Sequence, residues 1–229
     1  MAERTPLPIP PQIAAIAPDG NLTPRQRRRF MLDMVRRRQK PGTGSSHEFL
    51  RRRTADIQWP DLRSVLAGIP WALTGDVATR AYMAERMTQR MDVLVHERDV
   101  PAAWERLKAM GYASIAQSSE PSALFRSPNG VAVKVIGGRY SWLDAVLAHP
   151  ECDAAGYPVI ALPYLALLKM QATDMQDWAD VTRMLCTATD EQITEIRKII
   201  AEHSPDDSED LEIMIWSAKL EMAIPDWAE

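Results

Sequence analysis

The residues with the clearest chemical content lie between Trp71 and Val95. A short apolar run, Trp71–Leu73, stops at Thr74-Gly75-Asp76; a helical stretch, Val77–Glu85, follows; a β-rich run, Met91–Val95, then carries Asp92 near its start. A strand, a glycine turn opening a helix and a second strand with a carboxylate set backbone N–H groups beside an anionic oxygen. That is how a phosphate and its metal ion are brought together. The turn residues Thr74, Gly75 and Asp76 are therefore candidate nucleotide contacts, and Asp92 is the candidate catalytic and metal-binding residue.

Gly75, Ala78, Tyr82, Arg86, Thr88 and Asp92 follow one another at the spacing of a larger pattern. In these positions the chain resembles the nucleotidyltransferase fold of the polymerase-β type, and most closely the abortive-infection (AbiEii-like) nucleotidyltransferase toxins. Those proteins have a Gly-Gly or Gly-Ser turn, a small-residue helix with a Tyr, and Arg-x-Thr-x-Asp-x-Asp at the second strand. The resemblance runs over about residues 65–200. It includes Leu162-Pro163, the helical Lys169 and the acidic series Asp174, Asp177 and Asp180. It implies that Lys169 faces nucleotide phosphate, that Asp177 and Asp180 position the helix or the substrate, and that Mg²⁺ serves as cofactor in an active form. It also implies transfer of a nucleoside monophosphate from an NTP to an RNA or protein hydroxyl, and a cognate antitoxin or other protein as partner.

The departures from that pattern are chemically specific. The first carboxylate of the Asp-x-Asp pair falls on Arg90, and the third, expected on a later strand after a Pro-x-Gly turn, falls on Lys134 within Val131–Ile136. Mg²⁺ prefers anionic oxygen ligands, and two-metal phosphoryl transfer uses several of them. Arg stays charged in proteins and Lys usually does, so both repel a cation where one should bind. Two unit charges 4 Å apart interact by roughly 4 kcal/mol at an effective dielectric near 20, so each exchange alters metal affinity severely. Asp76 places a further negative side chain at the turn. The leading expectation is a remodelled, catalytically impaired site that binds a nucleotide, RNA or a partner protein, with Arg90 and Lys134 taking over part of the metal's charge. One alternative is an active nucleotidyltransferase in which Asp76 or Asp144 supplies a ligand; another is a toxin–antitoxin partner that binds no nucleotide.

Plainer readings stand beside these. Asp92 can be a strand-end residue capping a turn, and Arg90, Asp92 and Lys134 can be an ion-pair cluster, since alternate residues on a strand share a face. Lys169, in an otherwise apolar helix, either contacts phosphate or extends to solvent. His149 and Cys152 are a weak metal pair without further ligands. The chain contains no nucleophile elbow, Walker loop or dinucleotide-binding glycine fingerprint.

The elements that must position these residues read as α+β: a nucleotidyltransferase-like mixed sheet flanked by helices, with a helical carboxy-terminal part and a basic helical arm. A helix is predicted over Pro101–Met110, closed by Gly111, and strands over Tyr112–Ala116, Ala123–Arg126 and Val131–Ile136. Ser127-Pro128-Asn129-Gly130 joins the last two as a hairpin-like turn. Beyond Leu162 the apolar spacing is helical. The expected division is a Pro-rich tail and basic arm over 1–60, an α/β domain over 61–162 and a helical subdomain over 163–229.

Residues 1–60 hold 12 Lys and Arg against 5 Asp and Glu, so the formal −4 of the 229-residue chain combines a +7 arm with a −11 body. A helix predicted from Thr23 to about Arg38 carries Arg27, Arg28, Arg29, Arg36, Arg37 and Arg38, and a second from about His47 carries Arg51, Arg52 and Arg53. These either neutralise RNA phosphates or form a solvated or self-docked face. The longest uncharged stretch, Ala154–Leu168, has 15 residues and two prolines, short of the roughly 20 that span a bilayer. With no continuous apolar segment near residue 1, a cytoplasmic location and no membrane partner are expected. The two cysteines, Cys152 and Cys186, allow neither a disulfide framework nor a cysteine-rich zinc site.

Overall fold

Apolar strands with turn residues between them build a mixed sheet, and longer runs of helical period cover it. The computed structural model describes residues 11–15, 17–19, 26, 58–83, 88, 90–117, 121–172 and 174–222. The chain divides into two units, 1–52 and 53–229. In the first, Pro11–Ala14 form one helical turn, α1, where the proline-rich sequence shows no helical period. Apart from Gln26, which is helical, the predicted arm helices lie outside the described residues, as do Arg27, Arg28, Arg29, Arg36, Arg37 and Arg38.

The second unit opens with α2 (Leu62–Val65), capped by the Asp61 carboxylate, which accepts the Arg63 N–H at 3.0 Å. There follow β1 (Trp71–Thr74), α3 (Gly75–Ala78), β2 (Arg90–His96), α4 (Val100–Ala109), β3 (Ala113–Gln117), β4 (Ser122–Arg126) and β5 (Ala132–Gly138). Next come α5 (Leu143–Ala148), β6 (Glu151–Cys152) and β7 (Pro158–Val159), then α6 (Leu162–Gln171), α7 (Met175–Thr187), α8 (Asp190–His203) and α9 (Ser208–Met222). The sheet runs β3-β4-β5-β2-β1-β7-β6. β2 is antiparallel to β1 and parallel to β5. This is the mixed α+β class read from the sequence, with a helical carboxy-terminal part.

Local chemistry explains the boundaries. Pro101 suits the first turn of α4, and Gly111, at φ +83°, supplies the left-handed residue that ends it. The β4–β5 turn closes with the Gly130 N–H donating to the Ser127 carbonyl at 2.9 Å. Thr189 and Gln192 form a reciprocal capping box at the start of α8. The expected helix Val77–Glu85 is corrected: α3 ends at Ala78 and a 3-10 turn, Thr79–Ala81, succeeds it. Tyr82 then ties that segment to the far side of the sheet, its hydroxyl 2.8 Å from the Ile160 carbonyl and 2.9 Å from the Glu151 carboxylate. The short elements α5, β6 and β7 carried too few residues to show a period in the sequence.

Alternation along β5 assigns its two faces. Val133 and Val135 are fully buried on the side where α4 packs, while Lys134 and Ile136 are half-buried on the other. Buried α6 lies against α3, α7 and α8 and carries Lys169 inward. No helix among the described residues is long and apolar enough to cross a membrane.

Candidate functional site

Strand register gathers the first group of candidates. Asp92 lies directly opposite Thr74 on β1 and opposite Lys134 on β5, so one row across the sheet reads Thr74–Asp92–Lys134. Two residues along β2 in one direction is Arg90, opposite Ala132; two in the other is Leu94, in a row with Ala72 and Ile136. Arg90, Asp92 and Lys134, which the sequence pattern singled out together, thus lie on one face of two adjacent strands, and two of the three are cations.

Asp92 is buried, and Arg90 grips it with two hydrogen bonds: Nε to Oδ1 at 2.5 Å and Nη2 to Oδ2 at 2.9 Å. Burial raises the Asp92 pKa above its ordinary value, against the lowering by the Arg90 hydrogen bonds, the Arg90 charge and the Lys134 charge. The Arg90 guanidinium is in turn raised, chiefly by its hydrogen bond to Asp92. The plain reading of Asp92 as a strand-end cap is corrected: it is the third residue of seven in β2 and part of a bidentate pair.

Gly75 closes the other side of that carboxylate. Its φ of +62° belongs to the left-handed region, and a Cβ there would sit 2.7 Å from Asp92 Oδ2. Only a residue without a side chain lets the turn approach Asp92 so closely. The group that uses the approach is the protein's own carboxylate. α3 is a single turn, so the turn lacks the long helix that the sequence placed behind it.

The second group was partly legible. Lys169 is 3% exposed, which corrects the reading in which it extends to solvent. Its ammonium meets Asp76 Oδ1 at 3.2 Å, Asp180 Oδ2 at 3.0 Å and the Asp177 carboxylate. Three N–H donors meet three carboxylates, which saturates the ammonium. Burial pulls the Lys169 pKa down, but the hydrogen bonds and charges of Asp177 and Asp180 outweigh it and leave the pKa above 10.5. Asp180 is fully buried, and its second oxygen accepts Gln176 Nε2 at 3.0 Å. The sequence pointed to Asp177 and Asp180 only through the family pattern; that they share Lys169 with Asp76, 93 positions away from it, had no local signal.

Asp76, Asp177 and Asp180 are, among the described residues, a carboxylate group close enough for one metal ion, their oxygens within 4.8 Å of one another. Mg²⁺ does not fit there as the side chains stand, because the Lys169 ammonium bonds to all three carboxylates. Asp92 offers no better ligand while Arg90 holds both its oxygens. Asp144, the other proposed ligand, is exposed on α5 and pairs with Arg98 at 2.9 Å.

A cavity of about 180 Å³ opens beside these groups, bounded by Thr74, Gly75, Leu94, Ile136, Tyr140 and Lys169 among others. A wider one of about 400 Å³ adjoins it, sharing Ile136 and Tyr140.

No family model matches the sequence, and no curated protein matches it. Among solved structures, the chain is similar to the lincosamide antibiotic adenylyltransferase LnuA with lincomycin bound, at 10% identity. That likeness covers 54% of this chain and 90% of that one, with a TM-score of 0.41. It is also similar at 10% identity to the antibiotic-resistance factor ANT(2'')-Ia in solution, covering 71% of this chain and 89% of that one, TM-score 0.40. The complex of ANT(2'')-Ia with adenylyl-2''-tobramycin gives 10% identity, 70% and 94% coverage and a TM-score of 0.38.

Tyr140 is the site residue the sequence analysis missed. It follows Gly137-Gly138-Arg139 with neither strand nor helical period around it, so only the folded arrangement brings its ring to the cavity.

Proposed function

We propose that the protein is a nucleotidyltransferase-like chain whose site binds a nucleotide without Mg²⁺-dependent transfer. One observation carries the reading: each carboxylate at the site touches an ammonium or guanidinium of this chain, Asp92 through Arg90 and the other three through Lys169. Support for the nucleotidyltransferase-like part comes from the order and register of the residues. β1, the Gly75 turn, Asp92 on an antiparallel β2 and Lys134 on a parallel β5 follow one another in the order that the resemblance implies for a nucleotidyltransferase turn and strands.

Arg90 spends two of its five N–H donors on Asp92 and keeps three, while its side chain stays about half exposed. With Lys134 opposite Asp92, it offers an anionic ligand two fixed charges in place of a metal ion. A metal would have to displace a saturated ammonium or a bidentate guanidinium, and would lose several kcal/mol of interaction in doing so, on the order of the 4 Å charge–charge term.

The deciding experiment offers radiolabelled NTPs and RNA to the purified protein with Mg²⁺ or Mn²⁺, and in parallel titrates nucleotides with and without EDTA. Binding that survives EDTA with no transfer of label supports the reading. Label transfer that disappears in Asp92→Ala would overturn it in favour of an active transferase.

A further inference from the structure

The face of the sheet that bears the charges changes character along the strands. The row Thr74–Asp92–Lys134 is followed, one pleat repeat or about 6.7 Å further, by the apolar row Ala72–Leu94–Ile136. Leu94 and Ile136 line the smaller cavity, and Tyr140 covers its end and borders the larger one.

Tyr140 is an exposed aromatic ring held in a fixed plane. It stacks on Trp142 with centroids 4.6 Å apart and planes within 4°, and Trp142, itself buried, packs on Tyr164 at 4.8 Å. On the strand side, a Cβ at Gly138 would come within 3.0 Å of the Tyr140 ring, so the missing side chain lets the ring lie against β5. A ring so restrained loses little freedom when a second planar group stacks near it. Beyond it, the larger cavity presents Ser122, Arg139 and the backbone of Gly137 and Gly138.

The two cavities form one cleft through Ile136 and Tyr140, and the row bearing Lys134, with Arg90 beyond it, borders the Leu94 and Ile136 end on the same sheet face. We infer that this cleft takes a nucleoside monophosphate without metal, the phosphate at Arg90 and Lys134 and the base over Leu94 and Ile136 against Tyr140. The inference rests on the nucleotide-binding reading above and narrows it. With Asp92 paired to Arg90, the cluster of Arg90, Asp92 and Lys134 carries about one net positive charge, nearer to balancing the roughly two negative charges of a monophosphate than the larger charge of a triphosphate. A triphosphate brings about twice the monophosphate's charge to a cleft whose Gly75 end already holds Asp76 and Asp177, with Lys169 committed to both. Tyr140 is a ligand-positioning residue in this arrangement.

The test is an equilibrium titration of the full chain in EDTA with adenosine 5′-monophosphate, adenosine, inorganic phosphate and ATP. Adenosine 5′-monophosphate should bind at least tenfold more tightly than any of the other three. Tyr140→Leu should weaken it about tenfold or more, the range of a lost base–aromatic stack, leave phosphate binding unchanged, and be rescued by Tyr140→Phe. Lys134→Met should abolish the preference for the monophosphate over adenosine. Unaltered melting of Tyr140→Leu excludes a folding defect. Nucleotide binding that Tyr140→Leu leaves unchanged, or ATP binding as tightly as the monophosphate, would overturn the inference while the broader nucleotide reading stands on its own transfer assay. Absence of any nucleotide binding would overturn both.

Discussion

Lys169 shows how a buried charge is made tolerable. An ammonium removed from water costs several kcal/mol unless its donors are satisfied, and here three carboxylates satisfy them. Removing the ammonium strands those carboxylates, so Lys169→Met should lose about 3–5 kcal/mol of unfolding free energy in urea at pH 7. The pH dependence has a definite sign. The folded pKa lies above 10.5, so the stabilisation is complete below the unfolded value and falls away as pH rises through the folded one. The difference between wild type and Lys169→Met should therefore narrow above about pH 10.5, and a constant gap up to pH 12 would contradict the assignment. Arg90 and Asp92 form a second pair that can be tested as a cycle. Arg90→Met should cost about 1.5–3 kcal/mol by leaving a buried carboxylate unpaired, and adding Asp92→Asn should return much of that loss. Strict additivity of the two changes would show that the pair is not coupled.

At the scale of elements, the site depends on how closely the β1–α3 turn can approach β2. Gly75→Ala introduces both a left-handed strain and a contact 2.7 Å from Asp92 Oδ2. A loss of about 2 kcal/mol or more is expected, through strain at a special backbone conformation together with overpacking. In an Asp92→Ala background the same substitution should cost only about 1 kcal/mol, because the clashing oxygen has gone and the backbone strain remains. Equal costs in both backgrounds, measured by thermal unfolding, would show that the close approach is not what fixes glycine here. The capping box of α8 is an independent control far from the cleft. Thr189→Ala should cost about 1 kcal/mol and leave nucleotide titrations unaltered.

For the whole molecule, the sheet and helices α6–α9 all belong to the unit 53–229, and the strongly basic stretch belongs mostly to the unit 1–52. A chain beginning at Arg53 should accordingly unfold cooperatively, with its melting temperature within a few degrees of the full chain. The metal-independent nucleotide binding proposed above should be found in it as in the full chain, since every cleft residue named lies beyond position 70. Loss of cooperative melting, read by near-ultraviolet circular dichroism, would show that the unit depends on the first 52 residues.

What the sequence determined by itself is whatever local chemistry controls. The order of strands and helices, the glycine and proline stops, the hairpin at Ser127–Gly130 and the helical run beyond Leu162 follow from period and turn residues. These act within a few positions. Spacing within β2 and β5 also made it legible that Arg90, Asp92 and Lys134 share one sheet face, because side-chain direction alternates along a strand. Val77–Glu85 read as longer than α3, and β6 and β7 went unseen, because short elements are decided by what they pack against. Tertiary structure alone decided that Asp76 meets Lys169 from 93 positions away, that Gly75 is pressed against Asp92 and that Tyr140 borders the cleft. Ion pairing and cavity shape depend on how distant elements close together in space, and no window of neighbouring residues contains that information.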